Sequence, residues 1–157
     1  MQKEPMTAAG HAQLQEEINR LKRQERPAVI KAISVAREHG DLSENAEYHA
    51  AKEHQAIIEA RISEIADKLQ RAEVIDISAL SGDEVIFGAK VTLANEDTDE
   101  ETTYRIVGSE ESDIRSGLLS VTSPLARAMI GKSEGDSIEV VTPKGERGYE
   151  IVKIEFG

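Results

Sequence analysis

Two long helical patterns meet at a short polar turn, and this arrangement constrains the fold more than any other feature of the chain. The turn occupies residues 39–49, where a glycine is followed within five residues by Asp, Ser and Asn. These residue types favour turns and helix N-caps over helix interiors. The pattern predicts a hairpin whose tip, residues 39–45, carries acidic side chains.

On both sides of the turn, apolar or small residues recur in alternating four- and three-residue steps, the spacing of a coiled-coil seam. Thr7 is expected to cap the first helix, and Pro27 is expected to kink or break it near Gln24–Glu25, because proline lacks a backbone donor. Before the turn, the predicted seam comprises Leu14, Ile18, Leu21, Ala28, Ala32 and Val35, with Glu25 as the one polar interruption. After the turn, it comprises Tyr48, Ala51, Gln55, Ile58, Ile62, Ile65, Leu69 and Ala72. Two such stripes joined by a short turn predict an antiparallel coiled coil with smaller residues near its tip.

Near residue 74 the periodicity changes to short or alternating apolar runs, which are typical of strands. A single helix is expected after Ser123, which can cap it, while Pro124 suits its first turn. The predicted strands are Val74–Ile77, Val85–Leu93, Thr102–Val107, Leu118–Val121, Ile138–Val141 and Tyr149–Phe156. We therefore predict an α+β chain of two domains: a coiled-coil hairpin over residues 1–77 and a mostly antiparallel β-sheet with one short helix over residues 78–157.

Charge and composition exclude several classes of function. The chain of 157 residues has a formal net charge of -11 and no cysteine. Affinity for nucleic acid comes largely from Lys and Arg at phosphates, so free DNA or RNA is a poor partner, and zinc held by cysteine is excluded. No apolar run approaches the roughly 18 residues of a membrane span. We expect a monomeric cytoplasmic protein that has no membrane partner and meets nucleic acid through another protein.

Asp41 and Glu44 at the tip admit three interpretations. Spacing alone favours a capping box, in which Asp41 caps the second helix and Glu44 returns a hydrogen bond. Alternatively, both carboxylates point outwards and share a hard cation such as Mg²⁺, for which two carboxylates alone make a weak site. A self-contained hydrolase with this pair as acid and base is disfavoured, because an exposed tip has no walls that raise a carboxyl pKa.

Basic residues lie on both sides of the tip. Arg37 precedes it and Lys52 follows it, so hairpin geometry would place both just behind the acidic residues, within reach of a phosphate backbone. Ordinary surface pairing, for example of Lys52 with Glu53 or Glu59, is the alternative, and local sequence alone favours it.

Two stretches resemble the signatures of the GreA/GreB family of bacterial transcript-cleavage factors. The first is residues 36–53, AREHGDLSENAEYHAAKE, and the second is residues 114–132, IRSGLLSVTSPLARAMIGK. The resemblance covers nearly the whole chain. It implies a coiled-coil hairpin followed by a domain similar to FKBP-type isomerases, which we expect to act as a docking module without isomerase activity.

The resemblance also implies a partner, RNA polymerase. The second domain would bind the rim of the polymerase's secondary channel through Thr122-Ser123-Pro124, while the hairpin would pass down the channel until its tip reached the active site. Arg37 and Lys52 match the family's basic patch near the 3′ end of the nascent RNA.

Asp41 and Glu44 match the family's two functional acids, which help the polymerase hold a second Mg²⁺ and stimulate its cleavage of backtracked RNA. On this interpretation the free protein binds no cofactor stably, and the nuclease activity belongs to the polymerase. Two alternatives stay open: an anti-cleavage relative that inhibits the polymerase, and a coiled-coil interaction protein with no role in cleavage. A zinc-containing channel binder of the DksA type is disfavoured by the absence of cysteine.

Overall fold

A computed structural model describes residues 2–41 and 44–157. The chain forms two compact units. The first comprises His11–Ala72 together with Gln2, and the second comprises Lys3–Gly10 and Glu73–Gly157. The first ten residues are therefore divided, since Lys3–Gly10 cluster with a region more than sixty residues further along the chain.

The helical unit is the predicted hairpin. Its helices are α1 (Ala8–Arg20), α2 (Arg26–Arg37) and α3 (Ala46–Gln70), with a π-helical turn at Leu21–Glu25 between the first two. Thr7 caps α1 as predicted, because its hydroxyl accepts a hydrogen bond from the Gly10 amide at 3.1 Å. The antiparallel arrangement is evident from ion pairs between the arms, Arg61 with Glu17 at 2.7 Å and Arg26 with Glu59 at 2.8 Å.

The apolar stripe of α3 is confirmed. Ile58, Ile62 and Ile65 are buried, and Ile65 is fully inaccessible to solvent. Tyr48, Ala51 and Gln55, nearer the tip, are only half-buried. The packing therefore thins towards the turn, as the small residues there predict.

The predicted stripe of α2 is wrong by one residue. The buried positions are Val29, Ile33 and Ala36, whereas Val35 is 46% exposed. Ala28 and Ala32, also predicted to be buried, are exposed. The cause is the π-helical turn, in which the Arg26 amide bonds to the Leu21 carbonyl five residues earlier. A π turn takes in one residue more than an α turn, so every later side chain moves one position along the seam. The irregularity expected near Pro27 is present, but it adds a residue to the helix instead of breaking it.

The second unit is built on a five-stranded sheet. Its strands are β3 (Lys90–Asn95), β4 (Glu101–Val107), β5 (Leu118–Ser120), β6 (Ser137–Thr142) and β7 (Gly145–Glu155). Their order in the sheet is β5-β4-β3-β7-β6. All neighbouring pairs are antiparallel except β4 and β5. A two-stranded sheet of β1 (Glu4–Thr7) and β2 (Ala72–Ile75) accompanies it. The predicted class, a helical hairpin followed by a mostly antiparallel sheet domain, is confirmed.

One short α-helix, α4 (Pro124–Met129), packs on this sheet and contributes Ala126 and Met129 to its core. Four aromatic side chains of the unit pack against the same core: Phe87, Tyr104, Tyr149 and Phe156. Burial is the main cause that raises the pKa of the Tyr104 hydroxyl, with a further contribution from Tyr149. These aromatic residues are partly buried and extend the core of the unit.

Candidate functional site

The tip is a turn between two capped helix ends. After α2, the amides of His39 and Gly40 bond back to the carbonyls of Ala36 and Arg37 at 3.1 and 3.2 Å. Gly40 then adopts a φ of +100°, a conformation that side chains disfavour, and the chain leaves the helix there. Asp41 follows immediately. Leu42 and Ser43 lie outside the described residues.

Asn45, not Asp41, caps α3. The Asn45 Oδ1 accepts a hydrogen bond from the Tyr48 amide at 3.0 Å, and the helix begins at Ala46. An N-cap stands directly before the first helical residue, and Asp41 is too early in the chain to serve there. The capping-box interpretation of Asp41 and Glu44 is therefore wrong.

The acidic side chains surround an open depression at the tip. It is lined by Asp41, Glu44 and Glu47 together with His39, and both Asp41 and Glu44 are exposed. The His39 Nε2 lies 3.5 Å from a carboxylate oxygen of Glu47. Carboxylate oxygens suit Mg²⁺, which also keeps several of its waters. Within residues 2–41 and 44–157, however, three or more metal-ligating side chains nowhere form a group that could hold an ion. The carboxylates fit Mg²⁺ in kind, but they are not grouped so as to hold an ion.

The two basic residues lie on different arms of the hairpin, Arg37 at the end of α2 and Lys52 in the second turn of α3. The Arg37 guanidinium lies 5.9 Å from the centroid of the Tyr48 ring, within the range of a cation–π contact between the arms. Lys52 Nζ donates to Gln55 Oε1 at 3.2 Å, while Glu59, its suggested partner, pairs with Arg26. Both Arg37 and Lys52 are exposed.

In the second unit, Thr122-Ser123-Pro124 form the tight connection between β5 and α4. Ser123 accepts a hydrogen bond from the Ala126 amide at 3.2 Å and so caps α4, as predicted. The same hydroxyl donates to the Ser120 carbonyl at 2.8 Å, and the Ser120 and Thr122 hydroxyls lie 2.7 Å apart. Thr122 and Pro124 are exposed on a loop that these bonds hold in place.

An exposed acidic turn on a helical hairpin, followed in the chain by a sheet unit with a packed core, defines the class to which the protein belongs. The family models agree with this description. Residues 4–74 match "Transcription elongation factor, N-terminal" and residues 80–156 match "Transcription elongation factor, GreA/GreB, C-term". The chain belongs to the GreA/GreB family.

Relatives similar over their full length carry consistent names. The "Transcription elongation factor GreA" of Hyphomonas neptunium is 61% identical over 99% of both chains, and that of Phenylobacterium zucineum is 62% identical over 99% of both. A solved structure, the GreA factor homolog 1 (Gfh1) protein of Thermus thermophilus, is 28% identical over 98% of this chain and 99% of its own, with a TM-score of 0.45. None of the described helices is both long and apolar enough to cross a membrane.

Sequence reasoning missed two features of the tip. The capping-box interpretation assigns the N-cap to Asp41, although Asn is among the strongest N-caps and Asn45 stands directly before the helical run. The approach of His39 to Glu47 across the turn has no local signal, since it depends on how the two helix ends come together.

Proposed function

We propose that this protein is a transcription elongation factor that binds bacterial RNA polymerase and stimulates the polymerase's own cleavage of the 3′ end of backtracked RNA. The observation that carries the proposal is the exposure of Asp41 and Glu44 on an open turn whose helix cap is supplied by another residue. Exposed carboxylates on an open turn are accessible to a partner, and the names of the full-length relatives support this role.

The chemistry follows from what the tip offers and what it lacks. Asp41 and Glu44 would supply part of the ligand set of one Mg²⁺, and polymerase groups, RNA phosphate and water would complete it. Such an ion supplies Lewis acidity and activates a water for attack on a phosphodiester. Because the free tip offers so few ligands, the free protein is expected to hold no Mg²⁺ stably. The nuclease activity then belongs to the complex, and this chain is an accessory factor and not an enzyme.

We infer the contacts with RNA and with the protein partner from the basic residues and the net charge. Arg37 and Lys52 lie within the two arms just behind the acids, where they would attract the backbone of the RNA 3′ segment. The net charge of -11 opposes binding to free nucleic acid, so the protein partner must bring the RNA and the tip together. We place the protein in the bacterial cytoplasm as a monomer, with its hairpin in the polymerase's secondary channel.

The direct test is cleavage in a stalled, backtracked polymerase complex. Asp41→Asn and Glu44→Gln each remove one charge with little change of shape, and we expect either to slow stimulated cleavage by at least about 10-fold while polymerase binding is retained. Glu53→Gln, an exposed acid further along α3, is the matched control and should leave cleavage unchanged. Full cleavage by both tip variants would remove the metal-ligand role. A wild-type protein that slows the intrinsic cleavage would instead identify the anti-cleavage alternative.

Docking is tested separately at the connection between β5 and α4. Pro124→Ala removes an exposed ring from a loop whose backbone is held by Ser120 and Ser123, and it leaves the Ser123 cap in place. We expect weaker binding to polymerase, measured as a higher Kd, with an unchanged cleavage rate at saturating factor. An unchanged Kd would remove this loop from the docking surface.

A further inference from the structure

Asn45 makes a second hydrogen bond that capping does not require. Its Nδ2 donates to the Ala36 carbonyl at 2.6 Å, while its Oδ1 accepts from the Tyr48 amide at 3.0 Å. Ala36 lies in the last turn of α2 and Tyr48 lies in the first turn of α3. One amide side chain therefore joins the end of one helix to the start of the next.

The Ala36 carbonyl accepts hydrogen bonds from both sides of the turn. It receives the His39 amide at 3.1 Å from its own side and the Asn45 side chain from the other side. Ala36 is only 2% exposed, so its carbonyl is shielded from water. A bond to a shielded carbonyl competes less with water than a bond at the surface, so this contact fixes the position of Asn45 well.

Asn45 is also adjacent to Glu44 in the chain, and Asp41 lies between the two points that the amide connects. The apolar seam provides little rigidity here, because Tyr48 and Ala51 are only half-buried. Resting on the function proposed above, we infer that Asn45 is a positioning residue for the acidic pair: it holds the two ends of the turn together so that Asp41 and Glu44 are presented in one geometry. Catalytic geometry is sensitive to displacements of about 1 Å, which can cost on the order of 100-fold in rate.

The decisive variant is Asn45→Ser, which separates the two hydrogen bonds. Serine caps helices about as well as asparagine, so the bond from the Tyr48 amide is retained. Its side chain ends one bond short of the Nδ2 position, so the bond to the Ala36 carbonyl is lost. Asn45→Asp is the second variant: it keeps the shape and the cap but turns an acceptor towards the Ala36 carbonyl. Asn19→Ser, on an exposed position of α1, is the matched control.

In the free protein we expect Asn45→Ser to move the ¹³C chemical shift of the Ala36 carbonyl and to lower the melting temperature slightly, because one hydrogen bond is lost, while the hydrogen-exchange protection of the Tyr48 amide stays at the wild-type value. In the polymerase complex we expect an unchanged Kd, a fall of roughly 10-fold or more in the cleavage rate at saturating factor, and a higher Mg²⁺ concentration for half-maximal cleavage. Asn45→Asp should behave in the same way, and Asn19→Ser should match the wild type throughout.

Two results would overturn the inference. Wild-type cleavage with wild-type Mg²⁺ dependence in both Asn45 variants shows that the second hydrogen bond does not position the acids. A raised Kd with a normal rate at saturation shows that Asn45 acts in docking instead. Failure of the proposed function is distinguishable from both, because in that case the wild-type protein itself does not stimulate cleavage.

Discussion

The sharpest prediction concerns Gly10, where an alanine should destabilise a helix that alanine normally favours. Gly10 lies in the first turn of α1, and in an unobstructed helix a Gly to Ala change stabilises by about 1 kcal/mol. At this position, however, a Cβ would lie 2.3 Å from Cδ and 2.4 Å from Cγ of Glu111. The carboxylate cannot stay where it is.

The cost of moving Glu111 follows from its hydrogen bonds. Its carboxylate accepts the Thr7 amide at 3.1 Å, the Gly108 amide at 3.0 Å and the Thr7 hydroxyl. Hydrogen bonds to a charged group contribute about 1.5–3 kcal/mol each in a buried setting, and these are only partly buried. We take the lower value for two of the three hydrogen bonds, a loss of about 3 kcal/mol. The gain in helix propensity offsets about 1 kcal/mol of this loss, so Gly10→Ala should destabilise by about 2 kcal/mol.

Chemical denaturation of the second unit, followed by circular dichroism, measures this directly. The matched experiment repeats Gly10→Ala in a Glu111→Ala background, which lacks the obstructing atoms. In that background only the higher helix propensity of alanine affects the stability. There the same substitution should stabilise by about 0.5–1 kcal/mol. The sign must therefore reverse between the two backgrounds. Gly10→Ala at or above wild-type stability with Glu111 present would refute the reasoning.

Two further predictions address the hairpin. Ile65→Ala, at a fully buried position of the seam, should destabilise the helical unit by about 2–5 kcal/mol in urea denaturation. The control Ile57→Ala, at a position that is 61% exposed, should cost less than about 0.5 kcal/mol. Similar losses of stability in the two variants would contradict the assigned seam. The hydrogen bond from Arg26 lowers the pKa of the Glu59 carboxyl, so this pair contributes stability above the ordinary glutamate pKa and loses it as the pH falls through the lowered value. Titration of Glu59 by NMR should show the low pKa in the wild type and an ordinary one in Arg26→Met; equal values in both would exclude the pair as its cause.

Local pattern predicted most of the fold because most of it depends on local interactions. The α3 stripe, the Thr7 and Ser123 caps and the approximate positions of the strands follow from periodicity and capping chemistry. Periodicity did not predict the buried positions of α2, which are displaced by one residue. A kink and a π turn can each accommodate the missing backbone donor of Pro27, and the sequence does not distinguish them. The burial of Val29, Ile33 and Ala36 shows that the helix continues with one residue more.

Long-range contacts account for the other differences. Glu111 binds Thr7 across 104 residues of chain, which explains why Lys3–Gly10 cluster with the second unit, and no sequence pattern marks such a pair. At the tip, the role of Asp41 and Glu44 stays a prediction, whereas the cap of α3 was assigned to the wrong residue. The bond from Asn45 to the Ala36 carbonyl depends on the path of the whole turn.

The π turn at Leu21–Glu25 also determines where this hairpin tolerates changes in length. A residue inserted or deleted elsewhere in α2 or α3 rotates all later side chains of that helix by about 100°, which takes Ile33 or Ile62 out of the seam. At the π turn, removal of one residue restores ordinary helical winding and leaves the later side chains facing the other arm, provided that Pro27 is replaced at the same time by a residue with a backbone donor. Related chains should therefore differ in hairpin length by single residues at this turn, and by whole heptads elsewhere.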